Sequence, residues 1–221
     1  MWKAGAYGFP REPVHEEKIT FRDLSEYENV DAQGFRGNRY VKEAVIPEGA
    51  SVIPKSQFFS CRSLEKVYLP ESVSVIGDYA FADCYALNVW ESIERLSLKA
   101  VGISAFENCH ALEFTNLPDS LMEIEGAAFA GCVSVQKLIF SDTSLLKKIG
   151  DHAFRGCKNL KEVYLPDSVE YVGVSAFRDC VSLEQISVSE KIKNQPGIAE
   201  LEKNCPNARI RFREVNSVEK E

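Results

Sequence analysis

A solenoid of stacked repeats is the fold class this sequence predicts, and three observations predict it. The seven cysteines stand at 61, 84, 109, 132, 157, 180 and 205, separated by steps of 23 and 25 residues in strict alternation. A phenylalanine sits three residues before each of the first six: Phe58, Phe81, Phe106, Phe129, Phe154 and Phe177. A longer phrase, L-x-x-V-x-L-P-x-S-V-x-x-I-G-x-x-A-F-x-x-C, runs from Leu64 to Cys84 and again, with Val172 for the isoleucine, from Leu160 to Cys180. Self-similarity at a fixed period of this length marks a chain whose units complete one another's cores.

Each unit divides into three pieces. In Leu160–Pro166, Val163 and Leu165 alternate with polar or aromatic residues, the period-2 pattern of a half-buried strand. Proline at 47, 70, 118 and 166 ends that strand, because it has no amide to give the ladder. The second piece, Ser72-Val73-Ser74-Val75-Ile76-Gly77 in one unit, predicts a second short strand on another wall. Its closing glycine (77, 102, 150, 173) fits a left-handed turn or a close backbone approach. The third piece puts Ala153, Cys157 and Leu160 at i, i+4 and i+7, which predicts a helical turn, with Asp78 and Asp151 at its N-cap.

The array extends beyond its clear copies. Gly34–Asn38 repeats the pattern of Ala153–Cys157, with Phe35 on the phenylalanine position and Asn38 on the cysteine position. Lys18–Phe35 aligns without gaps to Lys137–Phe154. The chain of 221 residues is thus expected to form a single solenoid. Residues 1–33 would be a degenerate N-terminal cap, 34–188 the clear repeats, and 189–221 a degenerate C-terminal cap with a polar tail. About nine turns, roughly 43 Å long, follow from a strand spacing of about 4.8 Å. The phenylalanines at 35, 58, 81, 106, 129, 154 and 177 and the cysteines from 61 to 180 are the expected ladders. Stacked cysteines direct their Cβ bonds in parallel, so reduced, buried thiols are expected rather than disulfides. Cys205, in an eroded unit beside Pro206, is the one candidate for reactivity.

These residues resemble the BspA-type leucine-rich repeats, also called Treponema-type repeats. The resemblance implies a right-handed α/β leucine-rich-repeat superhelix with short parallel strands on the concave face, short helical turns and a second set of short strands. Its members occur in bacteria and some protists, and many look like surface proteins used in adhesion. It therefore implies a non-catalytic, protein-binding or adhesion-type module and names no partner. A structural spacer or self-assembling unit of a larger surface protein is the alternative.

The candidate recognition surface is the concave strand face. Its outward positions include Val45, Lys66, Tyr68, Val89, Phe114, Asn116, Ile139, Glu162 and Tyr164. Exposed aromatics in such a strip are the residue types that dominate binding hot spots. The bland alternative is ordinary surface with scattered apolar residues. His15, His110 and His152 fall in different units with no shared partner, and no nucleophile, zinc or phosphate-loop motif appears. No cofactor or metal is expected. A net charge of −7 without a basic block points away from nucleic acid. No run of about 18 apolar residues predicts a membrane span. The opening MWKAGAYGFPREPVHEEK lacks the apolar core of a signal peptide, so the expected location is the cytoplasm, or the cell surface if a signal was removed. A monomer or weak end-to-end association is expected.

Overall fold

The computed structural model describes residues 16–21, 35–88, 93 and 95–214. Parallel strands form two walls along the stack. The first carries β1 (Lys18–Thr20), β2 (Glu43–Val45), β4 (Lys66–Tyr68), β8 (Lys137–Ile139), β10 (Glu162–Tyr164), β12 (Gln185–Ser189) and β13 (Arg209–Arg213). The second is a six-stranded sheet of two-residue strands: β3 (Val52–Ile53), β5 (Val75–Ile76), β6 (Ala100–Val101), β7 (Glu123–Ile124), β9 (Lys148–Ile149) and β11 (Tyr171–Val172). Every pairing is parallel and in register from one repeat to the next, as with Val163 between Leu138 and Ile186. The inward lanes, Ile19–Ala44–Val67 on the first wall and Ile53–Ile76–Val101–Ile124–Ile149–Val172 on the second, are buried.

The predicted phenylalanine ladder is present. Consecutive rings from Phe35 to Phe177 stack with centroids 5.3 to 5.6 Å apart and planes within 15°. That distance exceeds the strand spacing of about 4.8 Å, so the rings lie slipped rather than eclipsed, the arrangement their quadrupoles favour. Burial of each ring contributes about 1.5–3 kcal/mol, and only because a neighbouring turn covers it. About seven turns carry this column, fewer than the nine expected. Of the first outer unit only β1 and its neighbours are described. The last replaces its second-wall strand by two short helices, α1 (Pro196–Ala199) and α2 (Leu201–Asn204).

The expected helical turn at A-F-x-x-C is not a helix. In Gly150–Leu160, alternate amides do two jobs. Those of Ala153, Arg155 and Cys157 close local turns onto the carbonyls of Gly150, His152 and Phe154. Those of His152, Phe154 and Gly156 reach the carbonyls of Val174, Ala176 and Arg178 in the next turn. The segment is a third hydrogen-bonded column along the solenoid, and turning alternate amides outward requires two left-handed residues per unit. His152 (φ 60°) and Gly156 (φ 72°) supply them here, and Ala127 (φ 55°) and Gly131 (φ 73°) one turn earlier. A helix would aim all its amides along its own axis and leave this column unmade.

The aspartates expected as N-caps are likewise bridges between turns. Asp78 Oδ1 accepts from the Ile103 amide at 3.0 Å, and Asp151 Oδ1 from the Val174 amide at 2.9 Å. Close approach, not left-handed backbone, explains the glycine that closes the second strand: a Cβ on Gly150 would stand 2.6 Å from the Gly126 nitrogen.

Candidate functional site

Among the described residues, the first wall falls into two separate sheets. It consists of a three-stranded sheet, β1-β2-β4, and a four-stranded sheet, β8-β10-β12-β13. Two repeats lie between them, and residues 89–92 of the first lie outside the described residues. In the second of these, Leu112–Pro118 aligns with Leu160–Pro166, but the inward position of Val163 is taken by Thr115 and the outward position of Glu162 by Phe114. A one-residue shift in apolar phase moves a side chain to the other face of a strand. Phe114 obeys that rule: it turns inward, is buried, and packs edge-on to Phe129 at a centroid distance of 5.3 Å. The chain bends at Thr115, leaving Asn116 exposed beside it. Phe114 is therefore a core residue and not part of an outward strip, which corrects the expectation. Val89 lies outside the described residues.

What remains outward forms two patches. On the three-stranded sheet, Lys18, Glu43 and Lys66 make one lane and Thr20, Val45 and Tyr68 the next. Lys18 Nζ lies 2.9 Å from Glu43 Oε2 and 5.1 Å from the centre of the Tyr68 ring. The bond to Glu43 raises the Lys18 pKa. Tyr68 remains 43% exposed. Beside it opens a groove of 510 Å³ lined by Glu48, Tyr68, Leu69, Pro70, Glu71, Arg95 and Leu96. A volume of this order is in the range of ligand-sized clefts.

On the four-stranded sheet, Lys137 pairs with Glu162 at 3.0 Å, and Ile139 and Tyr164 follow in the neighbouring lane. Tyr164 is already engaged. Its hydroxyl donates to Asp142 Oδ1 at 2.7 Å, and the Arg213 guanidinium lies 3.9 Å over its ring. Burial, with the Asp142 bond, pushes the Tyr164 hydroxyl pKa up. Arg213 also donates to the Leu165 carbonyl oxygen and to Asp167 Oδ1. Sequence reasoning missed this clasp, because its partners lie 46 and 48 residues apart and nothing local announces it.

The cysteine column holds seven free, buried thiols. Each Sγ donates to the carbonyl oxygen of the phenylalanine one turn earlier, from Cys61 on Phe35 at 3.0 Å to Cys205 on Phe177 at 3.2 Å. Burial pushes the Cys61 thiol from 9.0 up to about 12 and raises the other six. Nucleophilic thiols have lowered values, and Cys205, proposed as the reactive exception, is raised and buried like the rest. His110 stacks on Tyr85 at the surface, and His152 occupies a left-handed turn position; His15 lies outside the described residues. Among the described residues, no group of three His, Cys, Asp or Glu side chains stands close enough to hold a metal. None of the described helices is long and apolar enough to cross a membrane.

Two in-register parallel walls, a stacked aromatic column and a thiol column define a leucine-rich-repeat solenoid. The sequence model for the BspA type leucine rich repeat region matches residues 12–88 and 91–199 in six copies, and the chain belongs to that family. Among solved structures, a leucine-rich repeat protein from Bacteroides ovatus ATCC 8483 is 23% identical, with 94% of this chain and 71% of that chain covered and a TM-score of 0.57. The leucine-rich repeat protein of T. pallidum is 27% identical over 81% of this chain and 77% of that one, with a TM-score of 0.49. Comparison with curated proteins found no match. Leucine-rich repeats commonly serve as protein-interaction modules.

Proposed function

We propose that the chain is a non-catalytic protein-binding module, and that its partner is met by the β1-β2-β4 sheet around Tyr68. The observation that carries this reading is Tyr68 itself. It is a large aromatic held outward by strand register, 43% exposed, beside an open groove. A tyrosine side chain, with only two χ torsions, loses little entropy on contact, and such residues anchor interfaces. Val45 and Lys66 flank it on the same sheet. Tyr164 is held more tightly: its hydroxyl is bonded to Asp142, and Arg213 lies 3.9 Å over its ring, against 5.1 Å for Lys18 on Tyr68. Ile139, Glu162 and Asn116 belong to the periphery of the contact in this reading.

The test is capture of a partner by the immobilised chain from extracts of its source organism, with Tyr68→Ala compared against Met122→Ala. Met122 is equally exposed and precedes a strand of the second wall. Loss of about thirtyfold in captured partner for Tyr68→Ala alone is expected, the lower range of a hot-spot truncation. Equal capture by both variants would move the contact off this sheet.

A further inference from the structure

The two ends of the solenoid's walls are finished differently. At the second wall the last repeat is covered by helices, and one amide of the turn column is capped. Helix α1 packs on β11, and Ile198 and Leu201 are buried there. Glu200 Oε2 accepts from the Ser175 amide at 3.2 Å, taking the place of the carbonyl that a further turn would offer. The first wall has no such closure among the described residues. Its last strand, β13, pairs with β12 on one side only. In a parallel ladder alternate residues address opposite neighbours. Arg209 gives its amide to the Glu184 carbonyl, so Ile210 and Phe212 turn theirs to the unpaired side.

The side chains at this edge alternate in kind. Ile210 and Phe212 continue the inward lane above Ile186 and Val188, yet Phe212 is 42% exposed, with no further turn over it among the described residues. Arg209 and Arg211 continue the outward lane, and neither has an ion-pair partner among the described residues. An open strand edge is a template for another strand. The charges decide which strand. A second copy pairing antiparallel through Arg211 would set arginine against arginine across the join. A second copy continuing the stack through β1 would set Arg209 beside Lys18. Like charges directly opposite are destabilising, so this edge is built against itself in a chain whose net charge is −7.

We propose that β13 accepts an added strand from another protein, an extended segment in which acidic and apolar residues alternate. Its carboxylates meet Arg209 and Arg211, its apolar residues cover Ile210 and Phe212, and its backbone pairs with their free amides. This site is separate from the Tyr68 sheet face and does not depend on it.

The probe is a fluorescent peptide of alternating glutamate and valine, followed by anisotropy with the full chain. Binding is expected, weakened at least about tenfold by Arg209→Glu with Arg211→Glu, whose melting curve serves as the check on folding. That double variant is expected to prefer the lysine–valine peptide instead. Two peptides N-methylated at alternate residues, in opposite frames, separate strand pairing from charge alone: one frame is expected to abolish binding and the other to leave it. Absence of binding to the natural chain, binding through both methylated frames, or sedimentation as a dimer dispersed by the same double variant would each overturn the proposal. The last result would assign the edge to a second copy. Because Tyr68→Ala should leave peptide binding unchanged, failure here and failure of the Tyr68 reading are distinguishable.

Discussion

A thiol that donates to the carbonyl of Phe129 from Cys157, one turn later, ties two repeats through a single proton. Its burial has a consequence for pH. The folded protein holds these thiols protonated above 9.0, where the unfolded chain releases them, so the unfolded state binds fewer protons and stability falls as pH rises. The contribution is complete below pH 9.0 and is lost toward the folded value, about 12 for Cys61. Thermal melts from pH 8 upward should show the decline, at about 1.4 kcal/mol per pH unit for each protected thiol. A flat profile through that window would mean the thiols ionise in place. The left-handed turn residues offer a second check at this scale. Ala127, at φ 55°, bears a Cβ penalty that glycine lacks, so Ala127→Gly should be neutral or stabilising by up to about 1 kcal/mol. Gly131→Ala should destabilise, since its φ of 73° is a left-handed conformation in which a Cβ is strained. Chemical denaturation of the pair measures the difference.

At the scale of the element, the strand that fails to form is as informative as those that do. Phe114 stands where the repeat asks for an outward residue, and its burial predicts a core cost. Phe114→Ala should lose about 3–5 kcal/mol by urea unfolding, whereas the outward Tyr68→Ala should stay within about 0.5 kcal/mol. Equal costs would return Phe114 to the surface. The first wall was legible because Val163, Leu165 and their equivalents keep a period of two, and Pro47, Pro70 and Pro166 mark where β2, β4 and β10 stop. The turn column was not legible. Spacings of three and four residues at Ala153, Cys157 and Leu160 fit a helix as well as they fit consecutive left-handed turns, and only the neighbouring repeat's carbonyls decide between them. Asp151 looked like a cap for the same reason: its amide partner belongs to another turn. The outward face was legible lane by lane, except where Arg213 reaches over Tyr164 from the far end of the chain.

For the whole molecule, contacts run between adjacent turns apart from the Arg213 clasp, which spans two, and stability should follow as a sum of units and their junctions. Phe58→Leu and Phe154→Leu, four turns apart in the column, should add within about 0.5 kcal/mol. Phe129→Leu and Phe154→Leu share a stacked contact of 5.4 Å and should not. The most direct test of the stacked interior is maleimide labelling of the native protein, read residue by residue in a mass spectrometer. Every thiol from Cys61 to Cys180 should remain unmodified until denaturant is added, when all seven cysteines label. Rapid native labelling at Cys109, Cys132 or Cys157, in the middle of the column, would contradict a core shared from turn to turn.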